Sequence, residues 1–338
     1  MYIENNQIKN YISSWLSLMF CIISLMIIIG GLTRLTDSGL SITEWQLFSG
    51  FIPPLKNSEW VNYFNLYKEI PEYKLQNYSM SLNEFKVIFW WEWIHRFLGK
   101  LVGILYLIPL LFFSFKLGFK KLVNLYVIFF LICIQGIIGW YMVSSGLVDR
   151  VDVSHFRLSI HLILAFIILS LILWNYLNLK EITLYKKKIN FFIPLFFLIL
   201  IFVQIIIGAF VAGMDAGQIY NSWPLMGSSY FPADSDIINL FKISSFSDPS
   251  LVQFMHRNFA YIIIFFYLFI SIKIYKNNLV YLYFSIKLLG FFLMLQIILG
   301  IFTLIYGAQI VLASMHQISS IFLVSSSIYL LYLNSKFN

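Results

Sequence analysis

The chain has 338 residues, of which 60% are hydrophobic and only 11% charged, with a formal net charge of +8. A soluble domain holds roughly 25% charged residues, so this composition excludes a water-soluble globular enzyme and points to a polytopic membrane protein. The basic balance does not by itself imply nucleic acid, because the cations first have to be located.

From the N-terminus, Met1 to Asn10 is short and polar with Lys9 as its cation, and resembles neither a cleaved signal peptide nor an Arg-rich transit peptide. Cys21 and Cys133 both fall inside apolar runs, which argues against a disulfide framework or a thiolate metal site. A bilayer crossing takes about 20 residues. Eight stretches meet that length, near 13–33, 88–113, 122–144, 157–178, 190–212, 252–274, 281–305 and 310–333. Segments of about ten alternating residues, the mark of a barrel, are absent. The expected fold class is therefore an all-α integral membrane protein with eight transmembrane helices.

Orientation follows from the lysines. Lys116, Lys120 and Lys121 follow the second span, Lys180, Lys186, Lys187 and Lys188 the fourth, and Lys273, Lys276 and Lys287 the sixth. Lys9 and Lys336 flank the ends on that same side. The positive-inside rule then puts both termini in the cytoplasm and the long 34–87 and 213–251 connections outside. The +8 is topology signal and attraction to inner-leaflet lipid, so no nucleic-acid partner is expected.

The chain repeats itself in two registers. At a shift of 178, Gly30, Asp37, Gly39 and Trp45 meet Gly208, Asp215, Gly217 and Trp223. At a shift of 161, His95-Arg96 meets His256-Arg257, and Gln135 and Gly139 meet Gln296 and Gly300. A six-residue deletion before the last span brings His161 opposite His316. Two tandem four-helix halves are expected, residues 1–185 and 186–338. An even number of spans per half makes them parallel repeats.

Four of the five histidines lie inside spans, His95 and His161 in the first half and His256 and His316 in the second. All fall within the first two turns of their spans, roughly 5–11 Å below the outer edge at about 1.5 Å per residue. A lone histidine there reads as a hydrogen-bonded core residue. Two imidazoles from facing helices, repeated twice, suit bis-histidine haem ligation in a bundle. Zinc would lack a convincing third ligand in each half. Arg96 and Arg257, directly after their histidines, are candidates for charge-assisted bonds to haem propionates. His155, six residues before His161, reads as a loop residue.

The stretch from Trp90 to Lys100 places Glu92, His95 and Arg96 on one helix face. Membrane-edge charges can also snorkel beneath a tryptophan belt, and Glu92 could simply pair with Arg96. In the second half Gln253 occupies the place of Glu92. Acid–base work or stabilisation of positive charge needs a carboxylate rather than an amide. The first half is therefore expected to do chemistry and the second to hold a cofactor that relays electrons.

Taken together, the chain resembles the haem A synthase family, membrane enzymes of cytochrome oxidase maturation. The resemblance rests on Gly30 to Glu44, Glu92-x-x-His95-Arg96, Val151 to Arg157, Gly208 to Gly227, Met255-His256-Arg257 and His316-Gln317. It is closest to the alphaproteobacterial and mitochondrial branch; the cysteine pairs that another branch carries in its outer loops are absent. The resemblance implies two-step oxidation of the C8 methyl of haem o, through a hydroxymethyl stage, to a formyl group. It implies His256 and His316 as axial ligands of a resident haem b, and His95 and His161 as ligands of the substrate haem, with Glu92 catalytic beside the reacting edge. The implied partners are haem o, the farnesylating haem o synthase and cytochrome oxidase assembly factors, with a homo-oligomer left open. The implied location is the bacterial cytoplasmic (inner) membrane. Two other classes compete: a di-haem b electron-transfer cytochrome, and a haem-handling or transport assembly factor.

Overall fold

The computed structural model describes residues 5–45, 49–148, 150–180 and 187–336. The described residues are helical apart from turns, loops and one isolated bridge between Met226 and Ser229. The helices are α1 (Asn6–Leu35), α2 (Asn57–Tyr67), α3 (Pro71–Leu75), α4 (Leu82–Leu117), α5 (Val123–Gly146), α6 (His155–Leu177), α7 (Phe192–Gly213), α8 (Pro249–Lys276), α9 (Tyr283–Ile305) and α10 (Ile310–Ser335). Among the described residues eight are long and apolar enough to cross a membrane: α1 and α4 to α10. The protein is thus an all-α, multi-pass membrane protein. The expected boundary at 185/186 and Lys186 lie outside the described residues.

Helix α4 shows why hydropathy misplaced an end. The apolar stretch suggested a start near 88, but the helix begins at Leu82. Ser81 caps it: the Ser81 hydroxyl accepts from the Glu84 N–H, and the Glu84 carboxylate accepts from the Ser81 N–H at 2.7 Å. With 36 residues, α4 is about 54 Å long at a rise of about 1.5 Å, well beyond the roughly 30 Å hydrocarbon thickness. Its first turns pack against protein instead.

The chain divides into two compact units, Cys21–Ala165 and Met1–Phe20 with Phe166–Asn338. In the first, α2 and the start of α4 share an apolar cluster. Trp60, Phe64 and Tyr67 recur at helical spacing on α2 and meet Phe85, Ile88 and Phe89, with Leu40, Ile42 and Val153 closing the sides. Trp60 and Phe89 meet edge to face, ring centroids 4.9 Å apart. In the other unit α10 is largely buried and packs on α9 and α7, while α7 packs on α8. The Asn334 side chain bonds both the N–H and the carbonyl of Ile189, each at 3.1 Å, tying the approach to α7 to the end of α10.

Candidate functional site

Glu92, on the side of α4 that meets the loop after α1, is 3% exposed. One carboxylate oxygen takes Arg96 Nε at 3.0 Å and Arg96 Nη2 at 2.6 Å. The other accepts from the Ser41 hydroxyl and the Ile42 N–H, both at 2.7 Å. Arg96 also donates to the carbonyls of Ile42 (2.7 Å) and Glu44 (3.0 Å), with its guanidinium over the Trp45 ring. The pair therefore clamps the segment from Ser41 to Trp45 onto α4. A small cavity lined by Thr43, Glu44, Trp45, Arg96, Trp140 and Ser144 opens beside it.

In the other unit Arg257 makes the corresponding bonds. It donates to the carbonyls of Tyr220 (2.9 Å) and Ser222 (2.8 Å), the positions 178 residues after Ile42 and Glu44. Gln253, in the place of Glu92, reaches only the Tyr220 carbonyl, at 3.2 Å, and its Oε1 is buried without a partner. Asp37 and Asp215 both adopt positive φ, 47° and 49°. At the other register, Tyr106 donates to the Leu125 carbonyl at 3.1 Å and Tyr267 to the Ile286 carbonyl at 3.2 Å.

The four span histidines share one local geometry. Each imidazole brings its Cε1 edge against a glycine of the preceding spanning helix. A Cβ on Gly30, Gly139 or Gly300 would come within 2.9 Å of Cε1 of His95, His161 or His316, and one on Gly208 within 3.1 Å of Cε1 of His256. At 2.9 Å the imidazole would have to shift, and 3.1 Å is tighter than nearly all real contacts, so glycine is what lets each ring sit in this place. His161, His256 and His316 lie six or seven residues into α6, α8 and α10, whereas His95 is 13 residues into the longer α4.

The rings come in pairs. The centroids of His256 and His316 are 6.5 Å apart with planes at 79°. His95 and His161 lie within electrostatic reach of each other. Two metal–nitrogen bonds of roughly 2 Å plus two ring radii of about 1 Å span about 6 Å, so one iron between His256 and His316 fits. Nδ1 of all four histidines is buried without a hydrogen-bond partner. A buried polar atom left unpaired costs about 1–3 kcal/mol, so each ring keeps one nitrogen that a bound group would satisfy. Among the described residues no group of three or more His, Cys, Asp or Glu side chains is placed to hold a metal ion. What each pair has to offer a bound group is two imidazoles, a donor set that suits haem.

His155, expected in a loop, is instead the first residue of α6 and is buried, its ring 4.2 Å from that of Phe156. Arg157 bonds the Ser145 hydroxyl and lies over the Tyr141 ring, joining α6 to α5.

Sequence reasoning passed over two groups. The first is Gln204, which stands four residues before Gly208 as Gln135 and Gln296 stand before Gly139 and Gly300; the recurring Gln-x-x-x-Gly was the available signal. The second is Glu72 on α3. It is 2% exposed and accepts from Tyr67 (3.2 Å) and Asn77 (3.4 Å), and its other oxygen has no partner. Burial pushes its carboxyl up to about 8, against the lowering effect of the Tyr67 bond and helped by the charges of Glu92, Asp152 and Asp37.

Apolar spanning helices that carry paired imidazoles, each against a glycine, define a multi-pass membrane protein with a repeated histidine pair. The model of the COX15-CtaA family, described as cytochrome oxidase assembly protein, matches residues 13–328. A protein named "Heme A synthase" from Pelagibacter ubique (strain HTCC1062) is 49% identical over 343 residues, covering 99% of this chain and all of that relative. Another of that name from Rickettsia bellii (strain OSU 85-389) is 44% identical over 94% of this chain and 96% of its own. A third, from Rickettsia felis, is 39% identical over 95% and 97%. The chain belongs to the COX15-CtaA family, the family that its motifs resemble.

Proposed function

We propose that the protein is a haem A synthase of the bacterial inner membrane, an oxidoreductase serving cytochrome oxidase assembly. Its substrate is haem o, whose C8 methyl is oxidised to a hydroxymethyl and then to a formyl group. The observation that carries this reading is the pairing of four glycine-seated histidines with a buried carboxylate, Glu92, three residues before His95, in a chain of this family.

In this reading the chain is two parallel four-helix halves, 1–185 and 186–338, with both termini cytoplasmic. The matching bonds of Arg96 and Arg257, of Tyr106 and Tyr267, and the four glycine–imidazole contacts support the repeat. His95 and His161 hold the substrate haem. His256 and His316 hold haem b, which when bound supplies one-electron relay. Glu92, fixed by Arg96, Ser41 and Ile42, presents a negative charge that stabilises positive charge developing at the substrate edge. Arg257 spends its donors on loop carbonyls, and Arg96 divides its own between loop carbonyls and Glu92. What they offer a propionate is the shaped loop and the remaining N–H groups. The haem o synthase and oxidase assembly factors are the partners this role requires.

One observation favours a second reading, a di-haem b electron-transfer cytochrome: both oxygens of Glu92 are engaged in holding the loop. Expression with a haem o supply, followed by chromatography of extracted pigments, separates the two. Haem A or hydroxylated haem o supports the synthase; haem b alone, with haem o available, supports the cytochrome.

A further inference from the structure

Each imidazole has a glycine floor, but only three have a tether beside it. Gln135 donates to the carbonyl of His161 at 3.0 Å. Gln204 donates to the carbonyl of His256 at 3.0 Å, and its amide lies 3.4 Å from that ring's Nε2. Gln296 sits 3.3 Å from Nε2 of His316, and its oxygen accepts from Ser319 one turn along α10. Each glutamine is four residues before the glycine that its histidine touches, so glutamine and glycine share one face of the supporting helix.

On α1 the fourth position is Met26, four residues before Gly30. Its methyl faces Gly99, one turn beyond His95 on α4. A thioether donates no hydrogen bond. The polar contact from α1 to α4 is made a turn away instead, by the Thr33 hydroxyl to the Trp91 carbonyl at a long 3.4 Å. His95 therefore rests on its glycine without an amide at its own turn.

We propose that glycine and glutamine together seat His161, His256 and His316, and that Met26 leaves His95 the most weakly held of the four. His95 is then the ligand that lets go when haem o enters and product leaves, while His161 keeps its hold. The two tethered histidines of the second half, His256 and His316, suit a resident haem that does not exchange. This rests on the haem reading above and assigns to Gln135, Gln204, Gln296 and Met26 a positioning role that sets which haem is exchangeable.

The test uses the full-length protein purified with both haems, challenged with excess apomyoglobin. Pigments left on the protein are separated by chromatography at each time, with haem o and its oxidised products counted for the first half and haem b for the second. Met26→Gln is expected to slow loss from the first half about fivefold, the effect of one net hydrogen bond, with haem b unchanged. It also shifts the ferric first-half haem towards the six-coordinate low-spin spectrum, a change that mere stiffening of the fold would not produce. Gln135→Met is expected to speed first-half loss by a similar factor, and it decides the matter should Met26→Gln fail to retain haem b. Wild-type release from a haem b-retaining Met26→Gln protein, or from Gln135→Met where that variant decides, overturns this inference alone. A wild-type protein that takes up haem b but no haem o sinks the proposed function, and this inference with it.

Discussion

Arg257 holds the loop between α7 and α8 by the same two carbonyl positions that Arg96 takes in the loop after α1, yet beside Arg96 stands a carboxylate and beside Arg257 an amide. The two arginines should therefore differ in what their loss costs. Arg96→Ala strands the buried Glu92 charge and is expected to cost about 3–5 kcal/mol. Arg257→Ala loses neutral acceptors only, at about 1–3 kcal/mol. Thermal unfolding in detergent should rank them so, and adding Glu92→Gln to Arg96→Ala should restore part of the loss. Equal destabilisation would mean that the ion pair adds nothing to the clamp.

Gly136 and Gly139 lie on the same helix, and a Cβ at Gly136 meets nothing within 4 Å whereas one at Gly139 collides with His161. Gly136→Ala is expected to be neutral or to stabilise by about 0.5–1 kcal/mol through helix propensity. Gly139→Ala is expected to displace the imidazole, lowering first-half haem content several-fold while leaving haem b in place. Pigment content of the two variants, measured side by side, checks this. Similar haem content in both would remove the glycine floor from the account.

Glu72 makes stability depend on pH in a direction opposite to that of most carboxylates. Its folded value is raised from the ordinary 4.5 to about 8, so between these the folded chain keeps a proton that the unfolded chain releases. Its contribution is complete below about pH 4.5 and is lost as pH rises towards 8, with a slope of at most about 1.4 kcal/mol per unit. Glu72→Gln keeps an oxygen for Tyr67 and Asn77 and has no proton to lose. Thermal scans from pH 5 to pH 8 should show its melting temperature falling less steeply than that of the wild type. Parallel curves would assign the buried carboxyl an ordinary value.

The spanning helices were legible because lipid demands long apolar runs, and six of the eight helix starts differ from hydropathy by only a few residues. The six-residue error at α4 arose because capping by Ser81 and cover from α2 extend a helix past the lipid, where composition no longer reports it. The histidines and the Glu92/Gln253 contrast were also legible, since the chain states the pattern twice. The glycine floors were not. Gly30 and Gly208 read only as matched positions of the repeat, because contact with a neighbouring helix leaves no mark in local sequence, and the fold is what places each against its imidazole. Helix α2 was missed although Trp60, Phe64 and Tyr67 carry helical spacing, because a polar outer connection offers no long apolar run to notice.

In the proposed function, haem o is oxidised in the half that carries Glu92. The most direct test is chromatographic and mass analysis of pigments from wild type and Glu92→Gln, each expressed with a haem o supply. Glutamine keeps an acceptor for Ile42 and Ser41 and removes the charge. The wild type should yield haem A or its hydroxymethyl precursor, and the variant haem o with haem b but no formyl product. Haem A at wild-type yield from Glu92→Gln would contradict it.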